Sequence, residues 1–210
     1  MIHPHTELRF ASPEKGFGVF ARQPIPQGTI TWVLDSLDHL LTAAAAARLP
    51  VGLMAAFDHD YYRNWDGLYV LTHDHARFMN HSCRPNCAHA FSDVEIAIRD
   101  IAAGEELSND YASLGLDERE QFQCFCGESE CRRWVRHDDP PSKRRYWDPL
   151  LTEALRRSQT VAQPLRFLFG QSSLERIDDR PAQQPVGLDT QPRIKSDRLL
   201  AAGPASRQRR

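Results

Sequence analysis

Every cysteine of this chain falls between Cys83 and Cys131: Cys83, Cys87, Cys124, Cys126 and Cys131. Three of them form the run Cys124-x-Cys126-Gly127-x-x-x-Cys131. Thiols at that spacing on a glycine-containing loop reach a single ion. Zinc takes four tetrahedral ligands, and thiolate sulfur suits it. The run supplies three, so the fourth comes from elsewhere, and Cys83 and Cys87 are the cysteines left. The count therefore predicts a zinc that ties the end of the folded region back onto the segment around residues 83–87. In a reducing compartment such thiols are metal ligands rather than disulfides.

The composition fits that frame. The chain has 210 residues, 41% hydrophobic and 26% charged, enough to bury a core without disulfide staples. No run of apolar residues reaches the length of a membrane span. The N-terminus, Met1-Ile2-His3-Pro4-His5, lacks the charged-then-apolar pattern of a secretory signal. A cytoplasmic location is expected, with nuclear or host-delivered destinations left open. The net charge of −2 hides an asymmetry. Residues 1–140 hold 12 basic against 21 acidic side chains, and residues 141–210 hold 14 against 7. The acidic part argues against nucleic acid as its partner and fits a Lys/Arg-rich peptide. The basic tail leaves nucleic acid open as a partner of the tail alone.

Short strands and tight turns dominate the pattern. Leu8–Ala11, Val19–Ala21, Thr29–Leu34, Leu68–Thr72 and Ala88–Phe91 read as strands. Val94–Ile98 alternates apolar and polar residues, which predicts a half-buried strand. Asp35 or Ser36 is placed to cap a helix carrying Leu37, Leu40 and Leu41, continued by alanines 43–47 and stopped by Pro50. Beyond Pro140-Pro141 basic residues, Gln, Pro and Ser take over. Asp148–Ser158 reads as one helix, with Asp148 at its N-cap and Pro149 at its first position. Residues 171–210 have few large apolar side chains and are expected to be disordered.

The densest chemistry lies in Arg77-Phe78-Met79-Asn80-His81-Ser82-Cys83-Arg84-Pro85-Asn86-Cys87. Asn and His side chains both donate and accept hydrogen bonds, and a rigid polar segment between apolar strands suggests a binding site. A second stretch, Gly104-Glu105-Glu106-Leu107-Ser108-Asn109-Asp110-Tyr111, is by itself a turn and a strand ending in tyrosine. In order, Gly16-x-Gly18, then Asn80-His81-Ser82-Cys83-x-Pro85-Asn86-Cys87, then Gly104-Glu105-Glu106-Leu107-x-x-Asp110-Tyr111, then the three-cysteine run, resemble a SET domain with its post-SET zinc segment. The match covers roughly residues 5–135, with the SET domain over 5–115, the post-SET segment over 120–136 and a basic, largely disordered tail over 141–210.

The resemblance implies a mainly β fold of small curved sheets with short helices. In it the C-terminal segment threads beneath the Asn-His loop as a pseudoknot, an exception to the rule against knotted connections. It also implies transfer of a methyl group from S-adenosylmethionine to a lysine amine of a protein, with Tyr111 as the catalytic tyrosine. Gly16, Phe17 and Gly18 would approach the methionine end of that cofactor, and Asn80 and His81 would bind it. Arg77 either lines the same pocket or makes a surface ion pair. Phe125 or Trp134 would cover the adenine ring. Tyr69 either lines the lysine channel or packs in the core. The motif selects Cys83, with Cys124, Cys126 and Cys131, as the zinc ligands, leaving Cys87 a buried thiol. Asn109 departs from the family: many members carry Phe or Tyr two residues before the catalytic tyrosine. The number of methyl groups added therefore does not carry over. The rival readings are a SET fold that binds without catalysis, and a zinc protein whose tail binds nucleic acid. A second metal site at His73-Asp74-His75 is set aside in favour of a polar turn.

Overall fold

The computed structural model describes residues 1–50, 52, 53, 57, 60–114, 116, 121–137 and 139–168, the side chains of 140–146 and 148 excepted. The disorder expected over 171–210 lies outside those residues. The described chain is mainly β, built from small sheets. Strands β1 (Thr6–Ser12) and β2 (Gly16–Ala21) form an antiparallel hairpin. Strands β3 (Ile30–Val33), β8 (Cys87–Phe91) and β9 (Val94–Ala97) make a sheet with β9 in the middle. Strands β4 (His39–Leu41), β5 (Tyr62–Arg63) and β6 (Tyr69–Leu71) make another, with β6 central. The hairpin is extended by β10 (Glu106–Asn109) and then by β7 (Asn80–His81). A two-stranded ribbon, β11 (Phe122–Gln123) with β12 (Trp134–Val135), carries the cysteine run between its strands.

The main core gathers Val19, Ile25, Trp32, Met79, Ile101 and Leu107 from three of these strands and their connections. Each such fully buried aliphatic side chain contributes about 1.5–3 kcal/mol of transfer free energy.

Three expectations are corrected. The helix anticipated from Leu37 through the alanines breaks in two. His39–Leu41 is strand β4, because it pairs residue for residue with Leu71, Val70 and Tyr69 of β6. Only Ala43–Ala46 is helical (α1), and Thr42, not Asp35 or Ser36, caps it by accepting from Ala45 N. Long-range pairing has overridden a local helical pattern. Strand β9 is buried along its whole length rather than on one face. Its apolar face meets a C-terminal helix, and its other face looks into the molecule, so Glu95 is 2% exposed. That helix, α2, runs Pro140–Arg157 with Asp139 at its N-cap. Asp148 and Pro149 thus lie inside it instead of opening it.

Leu151, Ala154 and Leu155 of α2 pack on Ala88, Ala90, Ile96 and Ile98, closing one face of the β8–β9 sheet. Its C-terminal end docks on Gly28, whose φ is +93°. A Cβ there would lie 2.9 Å from Ala154 O and from Arg157. Among the described residues no helix is long and apolar enough to cross a membrane.

Candidate active site

Strand β10 runs parallel to β7, with Ser108 opposite Asn80 and Asn109 opposite His81. This short pairing joins the two sequence stretches that carry the chemistry. Ser82 N donates to Asn109 O at 2.9 Å, extending it by one residue. Asp110 then caps a single 3-10 turn, Tyr111–Ser113, its side chain accepting from Ala112 N. The turn reverses the chain and delivers Tyr111 to the Asn-His segment. Tyr111 N donates to His81 Nδ1 at 3.2 Å, and Tyr111 Oη donates to Met79 O at 2.7 Å. His81 Nε2 faces Cys83 Sγ at 3.4 Å.

Asn80 ties this segment to the glycine strand. Its Nδ2 donates to Phe17 O at 3.0 Å and to Glu106 Oε1 at 2.7 Å. The lack of a side chain at Gly18 makes room for this: a Cβ would lie 2.5 Å from Glu106 Oε1 and 3.0 Å from Asn80 Nδ2. Gly16 sits at φ +73° with open space where a Cβ would project. Phe17 is half exposed and meets Phe78 edge-on at 6.2 Å.

A cavity of about 110 Å³ opens beside Tyr111, walled also by Met79, Arg77, Asn109, Tyr62 and Glu95. Arg77 lines this cavity, and its guanidinium lies 5.2 Å over Phe78. Tyr69 packs against Phe57 at 4.8 Å, and Tyr62 on the neighbouring strand takes the cavity position instead. On the inner wall, Glu95 accepts from Asn109 Nδ2 at 2.8 Å and from Thr31 Oγ1 at 3.1 Å. Burial pushes its carboxyl up to about 7, against the pull of those two hydrogen bonds. Burial lowers His89 to about 4, so its ring is neutral near pH 7.

The thiols of Cys83, Cys124, Cys126 and Cys131 lie within 4.8 Å of one another, and Cys83 Sγ is 3.7 Å from Cys124 Sγ. A tetrahedron with Zn–S bonds of about 2.3 Å has edges of about 3.8 Å, so the four sulfurs fit that ion. Cys87 is wholly buried elsewhere, on the main core.

Sequence reasoning missed two residues beside these groups. Arg132 donates through its backbone N and Nε to Cys83 Sγ at 3.4 and 3.3 Å, and through Nη2 to Asp110 at 2.6 Å. Phe122 packs on both His81 and Tyr111, with ring centroids at 5.4 and 5.6 Å. Adjacency to Cys131 was the one available signal for Arg132; nothing marked Phe122. Phe125 and Trp134 are half exposed on the cysteine ribbon, Trp134 opposite Gln123.

Residues 16–112 match the family model described as SET domain. The chain is 30% identical over 135 residues to the histone-lysine N-methyltransferase ash1 of Drosophila melanogaster, covering 59% of this chain and 6% of that protein. It is 31% identical over 158 residues to the H3 lysine-9 specific histone-lysine N-methyltransferase of Schizosaccharomyces pombe, covering 60% and 32%. It is 42% identical over 67 residues to the histone-lysine N-methyltransferase trr of Drosophila melanogaster, covering 29% and 3%. The chain thus spans less than a third of the length of each of these curated relatives.

Proposed function

Since residues 16–112 of this chain match the SET-domain model, we propose that it transfers a methyl group from S-adenosylmethionine to the side-chain amine of a lysine in a protein. The observation that carries this reading is the parallel β7–β10 pairing, which sets Tyr111 against the Asn80-His81 segment at the mouth of a cavity. The bound sulfonium supplies an activated methyl. In one displacement the amine nitrogen would form a bond to the methyl carbon as the carbon–sulfur bond breaks, its electron pair going to sulfur.

The amine must first lose a proton. For an unperturbed lysine at pH 7 that costs about 4–5 kcal/mol, which an enclosed channel and a neighbouring sulfonium reduce. Tyr111 holds the attacking nitrogen in line, a contribution of positioning. Its hydroxyl is already anchored on Met79 O, so its oxygen lone pairs face the cavity side rather than the carbonyl. Asn80, His81, Arg77 and the Gly16–Gly18 strand form the seat for the cofactor, with the open space over Gly16 leaving its backbone free to be approached. Phe125 or Trp134 on the cysteine ribbon would cover the adenine. Zinc held by Cys83, Cys124, Cys126 and Cys131 fixes that ribbon; the fit of the sulfurs supports it. A lysine in a basic peptide suits the acidic domain.

Purified chain incubated with isotopically labelled S-adenosylmethionine and lysate proteins should place label on lysine, read by mass spectrometry. Cofactor binding with no labelled lysine would instead support the non-catalytic binding module.

A further inference from the structure

Glu95 is a buried carboxyl group, 2% exposed, on the wall of the cavity beside Tyr111. Its hydrogen bonds come from neutral donors. Oε1 accepts from Thr31 Oγ1 at 3.1 Å, and Oε2 accepts from Asn109 Nδ2 at 2.8 Å. The nearest ring, His89, has Nε2 at 3.7 Å from Oε2, and burial lowers its pKa to about 4. A carboxylate buried without a cation is costly. Burial accordingly raises the Glu95 pKa to about 7. A displaced carboxyl in a cleft is a candidate for chemistry.

Methyl transfer needs a neutral amine, and solvent at about pH 7.5 leaves only about one unperturbed lysine in a thousand in that form. Tyr111 is poorly set to take the proton, because its hydroxyl already donates to Met79 O. His89 is too weak a base, and Asp60, the other carboxylate of the lining, is exposed. Resting on the methyltransferase reading, we propose that Glu95 is the base that takes the proton from the target lysine. A carboxylate lone pair forms the bond to hydrogen, and the N–H electron pair stays on nitrogen as the nucleophile. Both charges vanish in that step, which a buried setting favours. The nitrogen then bonds to the methyl and leaves as a methylammonium, and Glu95 returns its proton to solvent before the next cycle. A base acts best with a pKa near the working pH. The titratable groups facing Glu95 are His89 and Cys87 of β8 and Tyr62 of β5; Asp60, Tyr61, Arg63, Arg77 and Tyr111 complete the charged and titratable part of the cavity wall. Of the displaced ones, His89 moves down and Cys87, Tyr61 and Tyr62 move up, so each moves away from pH 7.

The test is the pH profile of label transfer from S-adenosylmethionine to lysate proteins, read on lysine by mass spectrometry. Each lysate protein is dilute, so the initial rate reports kcat/KM and follows the free enzyme. Wild type should rise about tenfold per pH unit up to about 7 and then level. Glu95→Gln retains an acceptor for Asn109 but takes no proton, and should be slower by about 10²-fold or more at pH 7.5. Its rate should then climb about tenfold per unit with the free amine in solution, so the gap closes. A ratio of the two rates that is constant with pH would make Glu95 only a support for Asn109 and overturns the proposal. So does a variant as fast as wild type at pH 7.5, or a wild-type rate that climbs without levelling. If the variant does not fold, the wild-type profile alone decides. Labelled lysine with the wrong profile sinks only the role of Glu95. No labelled lysine at any pH sinks the methyltransferase reading and this proposal with it.

Discussion

Tyr111 and Met79 are thirty-two residues apart, yet the tyrosine hydroxyl donates to the methionine carbonyl at 2.7 Å. That bond exists because β10 lies parallel to β7 and the turn capped by Asp110 swings the chain back over it. Tyr111→Phe removes the hydroxyl while keeping the ring contacts with His81 and Phe122. Folding should survive a loss of about 1 kcal/mol. Turnover on the true substrate should fall by roughly 10²-fold or more, as for other positioned catalytic groups, with cofactor affinity nearly unchanged. Equal turnover of mutant and wild type would remove Tyr111 from catalysis.

Asn80→Ala should weaken S-adenosylmethionine binding by about 1 kcal/mol or more. The effect would have two sources, since Asn80 is a proposed cofactor contact and also the tie to Phe17 O and Glu106. Calorimetry that finds unchanged affinity would take Asn80 out of the site.

Arg132 is the bolt between the cysteine ribbon and the tyrosine turn. Its side chain is 8% exposed, and that of Asp110, its partner at 2.6 Å, is 1% exposed. Arg132→Met leaves Asp110 buried without its cation, a change that typically costs about 3–5 kcal/mol. The variant should melt lower, lose zinc more readily to a chelator and bind cofactor less tightly. A melting temperature within a degree or so of wild type would mean that the pair contributes little.

What the sequence made legible follows from what is local. The cysteine spacing and the two polar stretches are local patterns, and their residues meet as the motifs implied. Glu95 was hidden by a correct alternation wrongly placed. Val94 and Ile96 do face inward, but the opposite face of β9 meets a cavity rather than water, which only the sheet order reveals. The break of the expected helix at His39–Leu41 likewise depends on β6, some thirty residues away. That Gly28 admits the end of α2 is visible only in the fold.

Stability should respond to pH through Glu95. Its folded pKa of about 7 lies above the usual carboxylate value because of burial. The native state therefore holds the proton more tightly than the unfolded chain. The contribution is fully present below the unfolded value near 4.5 and is lost as pH rises toward 7. The titratable groups facing it are the buried His89 and Cys87 and the partly buried Tyr62, with His89 neutral near pH 7 and the Tyr62 and Cys87 pKa values raised. Glu95→Gln should thus leave the melting temperature almost unchanged at pH 4.5 and raise it at pH 8, by no more than ~3 kcal/mol in stability. A larger gain at pH 4.5 than at pH 8 would contradict the assigned direction.

The zinc assignment separates two cysteines that differ by four positions. Cys83 brings its sulfur within 3.7 Å of Cys124, inside a group that also holds Cys126 and Cys131. Cys87 lies in the main core among Val19, Trp32 and Leu107, where burial raises its thiol pKa. Cys83→Ser should release the metal, because three thiolates remain where four are needed. Freed of the ion, the ribbon regains the entropy of a loop of about forty residues. Protease cleavage within residues 121–137 should then rise and cofactor binding weaken, while the strand core persists by circular dichroism. Cys87→Ser places a hydroxyl in an apolar core and should lower stability by about 1–3 kcal/mol while retaining zinc. Metal analysis of the two purified variants reads the difference directly: zinc kept by Cys83→Ser, or lost only from Cys87→Ser, would move the fourth ligand away from Cys83.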